Sequence, residues 1–377
     1  MTSYDIAIVG TGGVAGIHAA QIGQLRGRAR LVAAVDPDRG RLLGFAERWA
    51  VPRLYHSLDS LLADARPDLI DLCTPPGLHA EQAVACLSRG HTVLCEKPPA
   101  RSLAELDLIG EAEFSGGGRF ATVSQHRFGS AARRLRRLAG DARLGPPMTA
   151  VCHTLWYRPD EYFAAPWRGS WEAEGGGPTL GHGIHQMDLL LSVLGPWREV
   201  VAVADRRARP TATEDLSCAL VTFANGAVAT VVNSLLSPRE TSYLRFDFAY
   251  ATVEVTHLYG YGDSDWDVTP APGHEDAVRA AWGQGPHGQV SGHGAQLTAI
   301  FDAIEAGGTP PVSLPDARST LELITAIYAS AFTGQPVKRG EIGPDSPFYR
   351  RMDGSGAPWS APAPRTADSP ASADVLS

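Results

Sequence analysis

Two groups of residues in this chain have types and spacing that suit proton chemistry. The first is Glu96-Lys97-Pro98, an ionisable pair closed by proline directly after the apolar run Thr92-Val93-Leu94-Cys95. The second is His182, His185 and Asp188, spaced three apart so that on a helix they share one face. They follow the glycine-rich run Gly175-Gly176-Gly177. Proton-active groups on one face beside glycine-rich backbone suit a site where a hydroxyl loses its proton as a hydride leaves. A capping histidine or a metal ligand pair are the other readings of this cluster. The HxxH spacing lacks the zincin form and any cysteine partner, so no metal site is expected.

These residues need elements to aim them. From Asp5 the chain alternates short apolar runs with helical periodicity: Asp5 to Val9, a helix with Val14, Ile17, Gln21, Ile22 and Leu25, then Leu31 to Val35. Further runs at Leu69 to Cys73, Thr92 to Cys95 and Phe120 to Ser124 continue this βαβ pattern, predicting one parallel sheet of about five or six strands. Gly10-Thr11-Gly12-Gly13-Val14-Ala15 fits GxGxxA between a strand and a helix, where backbone N–H groups can approach a pyrophosphate. Asp36, at the end of the second strand, suits the two ribose hydroxyls of NAD, while Arg39 keeps NADP open. In such a sheet the strand ends face the ligand crevice, which places Lys97 where a nicotinamide would sit. Thr74-Pro75-Pro76 with His79, and Gln125 with His126, follow other strand ends. His79 reads equally as a helix cap.

After Gly145-Pro146-Pro147 the pattern changes to alternating strands. Leu216 to Phe223 and Ala227 to Leu235 flank Asn225-Gly226, a hairpin signal. The fold class is therefore α/β: an N-terminal doubly wound Rossmann parallel sheet over 1–125, then an α/β domain with an open, mainly antiparallel sheet over 126–352. Residues 353–377, rich in Ala, Pro, Ser and Gly, are expected as a disordered tail. Trp156, Tyr157, Arg158, Trp167, Arg168 and Trp171 crowd the segment before the glycine run, where they either grip a polyol or pack a loop. His287 and His293, in a Gly-rich stretch before a late helix, either reach the same pocket or are loop residues, and the loop reading is preferred.

At 377 residues and 44% apolar composition, the chain has material for two cores. A formal charge of -8 argues against nucleic acid or an anionic membrane as partner. The basic stretch Arg133, Arg134, Arg136, Arg137 and Arg143 reads as a solvated or subunit-contact face. Five widely spaced cysteines suit reduced thiols, and with no signal peptide or membrane span the expected location is the cytoplasm. A broad sheet with one uncovered face predicts a homodimer or homotetramer.

Taken in order, Gly10 to Ala15, Asp36, Thr74-Pro75, Glu96-Lys97-Pro98, the run from Gly175, and Gly183-Ile184-His185 with Asp188 resemble the Gfo/Idh/MocA oxidoreductases over roughly residues 4 to 340. The resemblance implies reversible hydride transfer between NAD(P) and a secondary alcohol of a sugar, inositol or related polyol. It implies that Lys97 holds the reacting oxygen and His185 is general acid/base. Gly10, Thr11, Gly12, Gly13, Val14, Asp36, Thr74, Pro75, His79, Glu96, Lys97 and Gln125 would meet the cofactor, and His126, Trp156, Trp171 and Asp188 the substrate. Many relatives carry an Asp four residues before the histidine; here Gly181 stands there, and His182 is expected to substitute in part. Two alternatives remain: a glycosidase or lyase using transient oxidation, and a non-catalytic cofactor-binding regulator.

Overall fold

The computed structural model describes residues 3–25, 27–165 and 167–359. Its described residues divide into two compact units: 3–123 with His293–Ala317, and Ser124–Gly292 with 318–359.

The first unit runs β1 (Tyr4–Val9), α1 (Gly13–Gln24), β2 (Ala29–Val35), α2 (Arg39–Trp49), β3 (Arg53–Tyr55), α3 (Leu58–Asp64), β4 (Leu69–Leu72), α4 (Pro76–Leu87), β5 (Thr92–Cys95), α5 (Leu103–Gly116) and β6 (Arg119–Thr122). All its strands pair in parallel in the order β3-β2-β1-β4-β5-β6. The order reverses between β1 and β4, so the carboxyl ends of those two strands bound the crevice of a doubly wound sheet. Ile6, Ala7, Ile8 and Val9 are buried throughout, as a strand covered on both faces requires. The buried stripe of α1 is not the one expected. It consists of Ala15, His18, Ala19 and Ile22, while Ile17 is 41% exposed. Small residues at 15 and 19 make a flat face for close packing, and His18 is tolerated inside because it finds partners there.

The second unit opens with a 3-10 turn, Gln125–Phe128, followed by α6 (Ser130–Gly140), β7 (Pro147–Tyr157), α7 (Trp171–Glu174), α8 (Pro178–Gly181) and α9 (Ile184–Leu194). Strands β8 (Trp197–Asp205), β9 (Leu216–Phe223), β10 (Val228–Ser234), β11 (Leu236–Phe248), β12 (Ala251–His257) and β13 (Trp266–Pro270) lead to α10 (Glu275–Trp282). With β14 (Val337–Lys338), which follows α12 (Leu314–Thr333), they form an eight-stranded sheet ordered β13-β12-β11-β7-β10-β9-β8-β14. In this sheet β7 and β10 pair in parallel, and the other neighbouring pairs are antiparallel. At the predicted hairpin, Gly226 sits at φ +91°, and the Asn225 side chain accepts from Ala227 N and donates to the Leu194 carbonyl. The basic stretch is not uniformly wet. Arg134 is buried, donates to the Pro286 carbonyl at 2.9 Å and lies over the Trp282 ring.

A contiguous second domain over 126–352 does not describe the packing. Helix α11 (His293–Glu305) buries Leu297, Ile300 and Phe301 in the first unit's core, with Phe301 stacked on Tyr4 at 4.4 Å. Gln296 donates to the Thr122 carbonyl at 2.7 Å, and Thr122 N to the Val312 carbonyl at 3.0 Å. Order also extends past 353: Asp353 is buried against the Arg351 guanidinium, and Trp359 donates its indole N–H to the Ala212 carbonyl. The remainder of the expected tail lies outside the described residues. Among the described residues, no helix is long and apolar enough to cross a membrane.

Candidate active site

The glycine turn separates two reasons for having glycine. Gly10 has φ +87°, and a Cβ there would lie 2.9 Å from the Cys73 carbonyl oxygen and from Thr74 Cγ2, so packing against the β4 end dictates it. At Gly12 and Gly13 an added Cβ would meet no atom of the described residues within 4 Å. Both are exposed at the start of α1, with Val14 half-buried behind them. Packing among the described residues does not demand glycine there, which fits a backbone kept bare for a pyrophosphate. Thr11 donates through both N and Oγ1 to Asp36 Oδ2, at 2.9 and 2.8 Å. Asp36 Oδ1 accepts from Asp38 N at 2.9 Å and from the Arg41 guanidinium at 3.0 Å. Burial works to raise the Asp36 pKa, but these donors, Arg41 foremost, hold it below the usual carboxylate range. The arginine paired with Asp36 is thus Arg41, not Arg39.

At the β4 end, Thr74 Oγ1 donates to Gln82 at 2.6 Å, and exposed Pro75 precedes α4. The His79 ring is buried between the Pro98 carbonyl, 2.8 Å from Nδ1, and the Thr74 carbonyl, 2.6 Å from Nε2. Both ring nitrogens therefore face protein carbonyls, and His79 joins the β4 turn to the β5 turn rather than reaching outward. Burial lowers its pKa. Lys97 is half-buried on the β5 turn. Glu96 is also committed internally: Oε2 accepts from Lys97 N at 2.9 Å, and Oε1 faces His18 Nε2 at 3.0 Å and His293 Nε2 at 3.3 Å.

In the second unit the run from Gly175 is a packing device. A Cβ on Gly176 would lie 2.4 Å from the Tyr328 hydroxyl, one on Gly177 2.1 Å from the Glu214 carbonyl oxygen, and one on Gly183 2.0 Å from Asn233 Oδ1. Buried Glu214 accepts from Gly177 N at 3.0 Å, Thr179 N at 3.1 Å and the Tyr328 hydroxyl at 2.7 Å. Burial nonetheless pushes its carboxyl up to about 7. This frame delivers half-buried His182, just after α8, and His185, buried on the first turn of α9. His185 lies 5.0 Å from the His126 ring and 5.8 Å from the Tyr259 ring. His126 also packs against Tyr261 at 4.5 Å, and Gln186 donates to the Tyr261 hydroxyl at 2.6 Å. His182 meets the edge of Trp156 at 5.1 Å, with its Nε2 3.5 Å from the Tyr162 hydroxyl.

Other expected residues do different things. Asp188 is buried in a two-pronged ion pair with Arg127, both contacts 2.6 Å, so its oxygens are already taken up by the protein. Trp171 is buried, donates to the Ala212 carbonyl at 2.9 Å and packs on Tyr328 and Phe332, a core position and not an open ligand face. Gln125 is buried and donates to the Tyr259 hydroxyl. Trp156 donates to Ser242 Oγ at 3.0 Å while the Arg158 guanidinium covers its ring.

Sequence reading misses His18, Tyr259, Tyr261 and Gln186, and places His293 in a loop. A signal exists for His18: it is the polar member of a stripe otherwise made of Ala15, Ala19 and Ile22. For His293 no local pattern points inward, because its partners are remote in sequence. Among the described residues, two buried groups carry metal-ligand donor types, His18 with Glu96 and His293, and His18 with Asp71 and Cys73; in each the donor atoms lie within 4.8 Å of one another.

Comparison with known proteins agrees with this architecture. Residues 4–122 match the oxidoreductase family with NAD-binding Rossmann fold, and residues 132–273 the GFO/IDH/MocA C-terminal domain. The D-glucoside 3-dehydrogenase of Escherichia coli is 25% identical, with 88% of this chain and 97% of that protein covered. The D-xylose 1-dehydrogenase (NADP(+)) 2 of Haloferax volcanii is 26% identical, covering 88% and 98%. Among solved structures, the WlbA dehydrogenase of Bordetella pertussis in complex with NADH and UDP-GlcNAcA superposes with a TM-score of 0.79 at 26% identity, covering 89% of this chain and 99% of that one.

Proposed function

The chain belongs to the Gfo/Idh/MocA oxidoreductases, and from that premise we propose that it oxidises a secondary alcohol of a sugar, inositol or related polyol, passing the hydride to NAD. The observation that carries this reading is the carboxyl edge of the parallel sheet. Gly10, Thr74 and Lys97 each stand just beyond the neighbouring strands β1, β4 and β5, so the glycine cradle and an ionisable lysine share one edge. NAD, when bound, supplies the ring that accepts the hydride. The bare backbone at Gly12 and Gly13 would hold its pyrophosphate, and Asp36 its ribose. The Lys97 ammonium stabilises negative charge developing on the reacting oxygen. His185 takes up the hydroxyl proton on its imidazole, and His182 supports it where Gly181 offers no carboxylate.

The test is to follow NADH formation across inositols, aldoses, glycosides and sugar acids, with NADP in parallel. At least one alcohol should reduce NAD, and Lys97→Met should lower kcat/KM by about 1,000-fold. Unchanged turnover in Lys97→Met would remove the assignment. Glycoside cleavage without NADH accumulation would move the reading to transient oxidation.

A second copy of the chain is the proposed occupant of the sheet's outer face. There Val201, Val203 and Leu220 are 49%, 66% and 49% exposed, and Val201 pairs with Leu220 across β8 and β9. Light scattering should find a dimer or tetramer that Val203→Glu weakens; an unchanged assembly would place the contact elsewhere.

A further inference from the structure

We propose that His18, Asp71, Glu96 and His293 form a buried clamp that positions Lys97, with His18 present as an imidazolium. The kinetic part of this inference rests on the dehydrogenase reading; the charge state does not.

His18 Nδ1 lies 2.7 Å from Asp71 Oδ2, and its Nε2 lies 3.0 Å from Glu96 Oε1. An ionised carboxylate can only accept, so a ring between two of them satisfies both contacts only by donating from both nitrogens. A neutral tautomer would leave one carboxylate oxygen facing a lone pair. The His18 and Asp71 side chains are fully buried and that of Glu96 is 7% exposed, so water cannot make up the difference. The groups facing His18 are Asp71 and Cys73 from the β4 end, Glu96 from the β5 end and His293 from α11. Burial alone would lower the His18 pKa, but the Asp71 charge outweighs it and the net direction is well above the ordinary value. Burial would raise Glu96, yet hydrogen bonds from His18 and His293 hold it well below the usual range. Burial and then repulsion from His18 keep His293 low, and burial pushes the Cys73 thiol up to about 12. The cluster therefore holds two carboxylates, one imidazolium, a neutral imidazole and a neutral thiol.

Its geometry reaches the lysine through the backbone. One Glu96 oxygen takes the two histidines, and the other accepts the Lys97 N–H at 2.9 Å. His18 stands on α1, the helix whose first residue is Gly13 of the glycine turn. The clamp thus ties the helix behind the dinucleotide cradle, and the returning α11, to the main chain that carries Lys97. A metal would have to displace hydrogen bonds already made on both His18 nitrogens. A merely space-filling role would affect stability and leave the kinetics of the folded protein alone.

The experiment uses the full chain labelled with 15N-histidine, together with His18→Gln and His293→Gln. One ring that stays doubly protonated at pH 8, and whose signals vanish in His18→Gln, is the expected spectrum. A His18 ring that titrates as neutral between pH 6 and 8, or stoichiometric Zn2+ uptake abolished by His18→Gln, would overturn the clamp. If His18→Gln does not fold, His293→Gln should still shift the His18 ring signals; no shift would count against the network. On the alcohol that reduces NAD, His18→Gln should lower kcat about 30-fold with the Kd for NAD altered by less than roughly threefold. In a Lys97→Arg background the same substitution should cost less than roughly threefold, because residues acting through one group are not additive. Full additivity would show that His18 does not act through Lys97. If no alcohol is oxidised by the native protein, the dehydrogenase reading fails while the spectrum still decides the charge state.

Discussion

A methyl group added at Gly12 or Gly13 would meet no atom of the described residues within 4 Å, whereas one added at Gly177 would press to 2.1 Å from the Glu214 carbonyl oxygen. Both segments are runs of small residues leading into a helix, and sequence alone reads each as part of a ligand or reaction site. In the first the missing side chain leaves backbone available to a ligand. In the second it admits other parts of the same protein: Glu214, Tyr328 and Asn233 crowd in until α8 and α9 are held in place. The two runs teach that glycine near an active site has two separable causes, and that stability and affinity measurements tell them apart.

The largest effect should come from Gly177→Ala, which forces a backbone shift and should cost roughly 3 kcal/mol of stability, read by denaturant unfolding. Gly12→Ala should instead leave the unfolding midpoint almost unchanged and weaken NAD binding by about 30-fold, or about 2 kcal/mol, by titration calorimetry. Equal loss of stability in both variants would erase the contrast. Asp36→Ala, next to the open run, should weaken NAD by about tenfold. It should also narrow the preference over NADP, since Arg41 loses its carboxylate partner and can meet a 2′-phosphate. The smallest effect belongs to Glu214→Gln, about 1 kcal/mol at pH 5 through one misplaced acceptor. That gap should close and then reverse toward pH 8. The folded Glu214 carboxyl titrates at about 7, above its ordinary 4.5, so its stabilising contribution is complete below 4.5 and is lost as pH rises through 7. Glutamine cannot ionise, so thermal melts should favour the native protein at pH 5, and the order should reverse by pH 8.

The first sheet is legible because its strands are short apolar runs, and the glycine turn, Asp36 and the lysine turn sit at strand ends, where local pattern and topology coincide. The hairpin between β9 and β10 is legible for a similar reason, since Asn225-Gly226 specifies its own turn. Legibility fails where a partner is distant in sequence. Asp188 looks available because Arg127, 61 residues earlier, gives no local sign of pairing with it. Trp171 looks like a ligand face because its packing on Tyr328 depends on a helix far downstream. His18 escapes notice, and His293 is read as a loop residue, for the same reason: each acquires meaning only when the carboxylates opposite it are known.

The stacking of Phe301 on Tyr4 joins one of the first described residues to a helix that follows most of the second unit in sequence. A ribosome delivers these in order, so the parallel sheet emerges long before the helix that completes its core. Until α11 appears, the apolar surface that Leu297, Ile300 and Phe301 will cover stays open, the kind of surface that makes an incomplete chain prone to aggregate. Expressing residues up to Val123 alone would freeze the protein at that moment of synthesis.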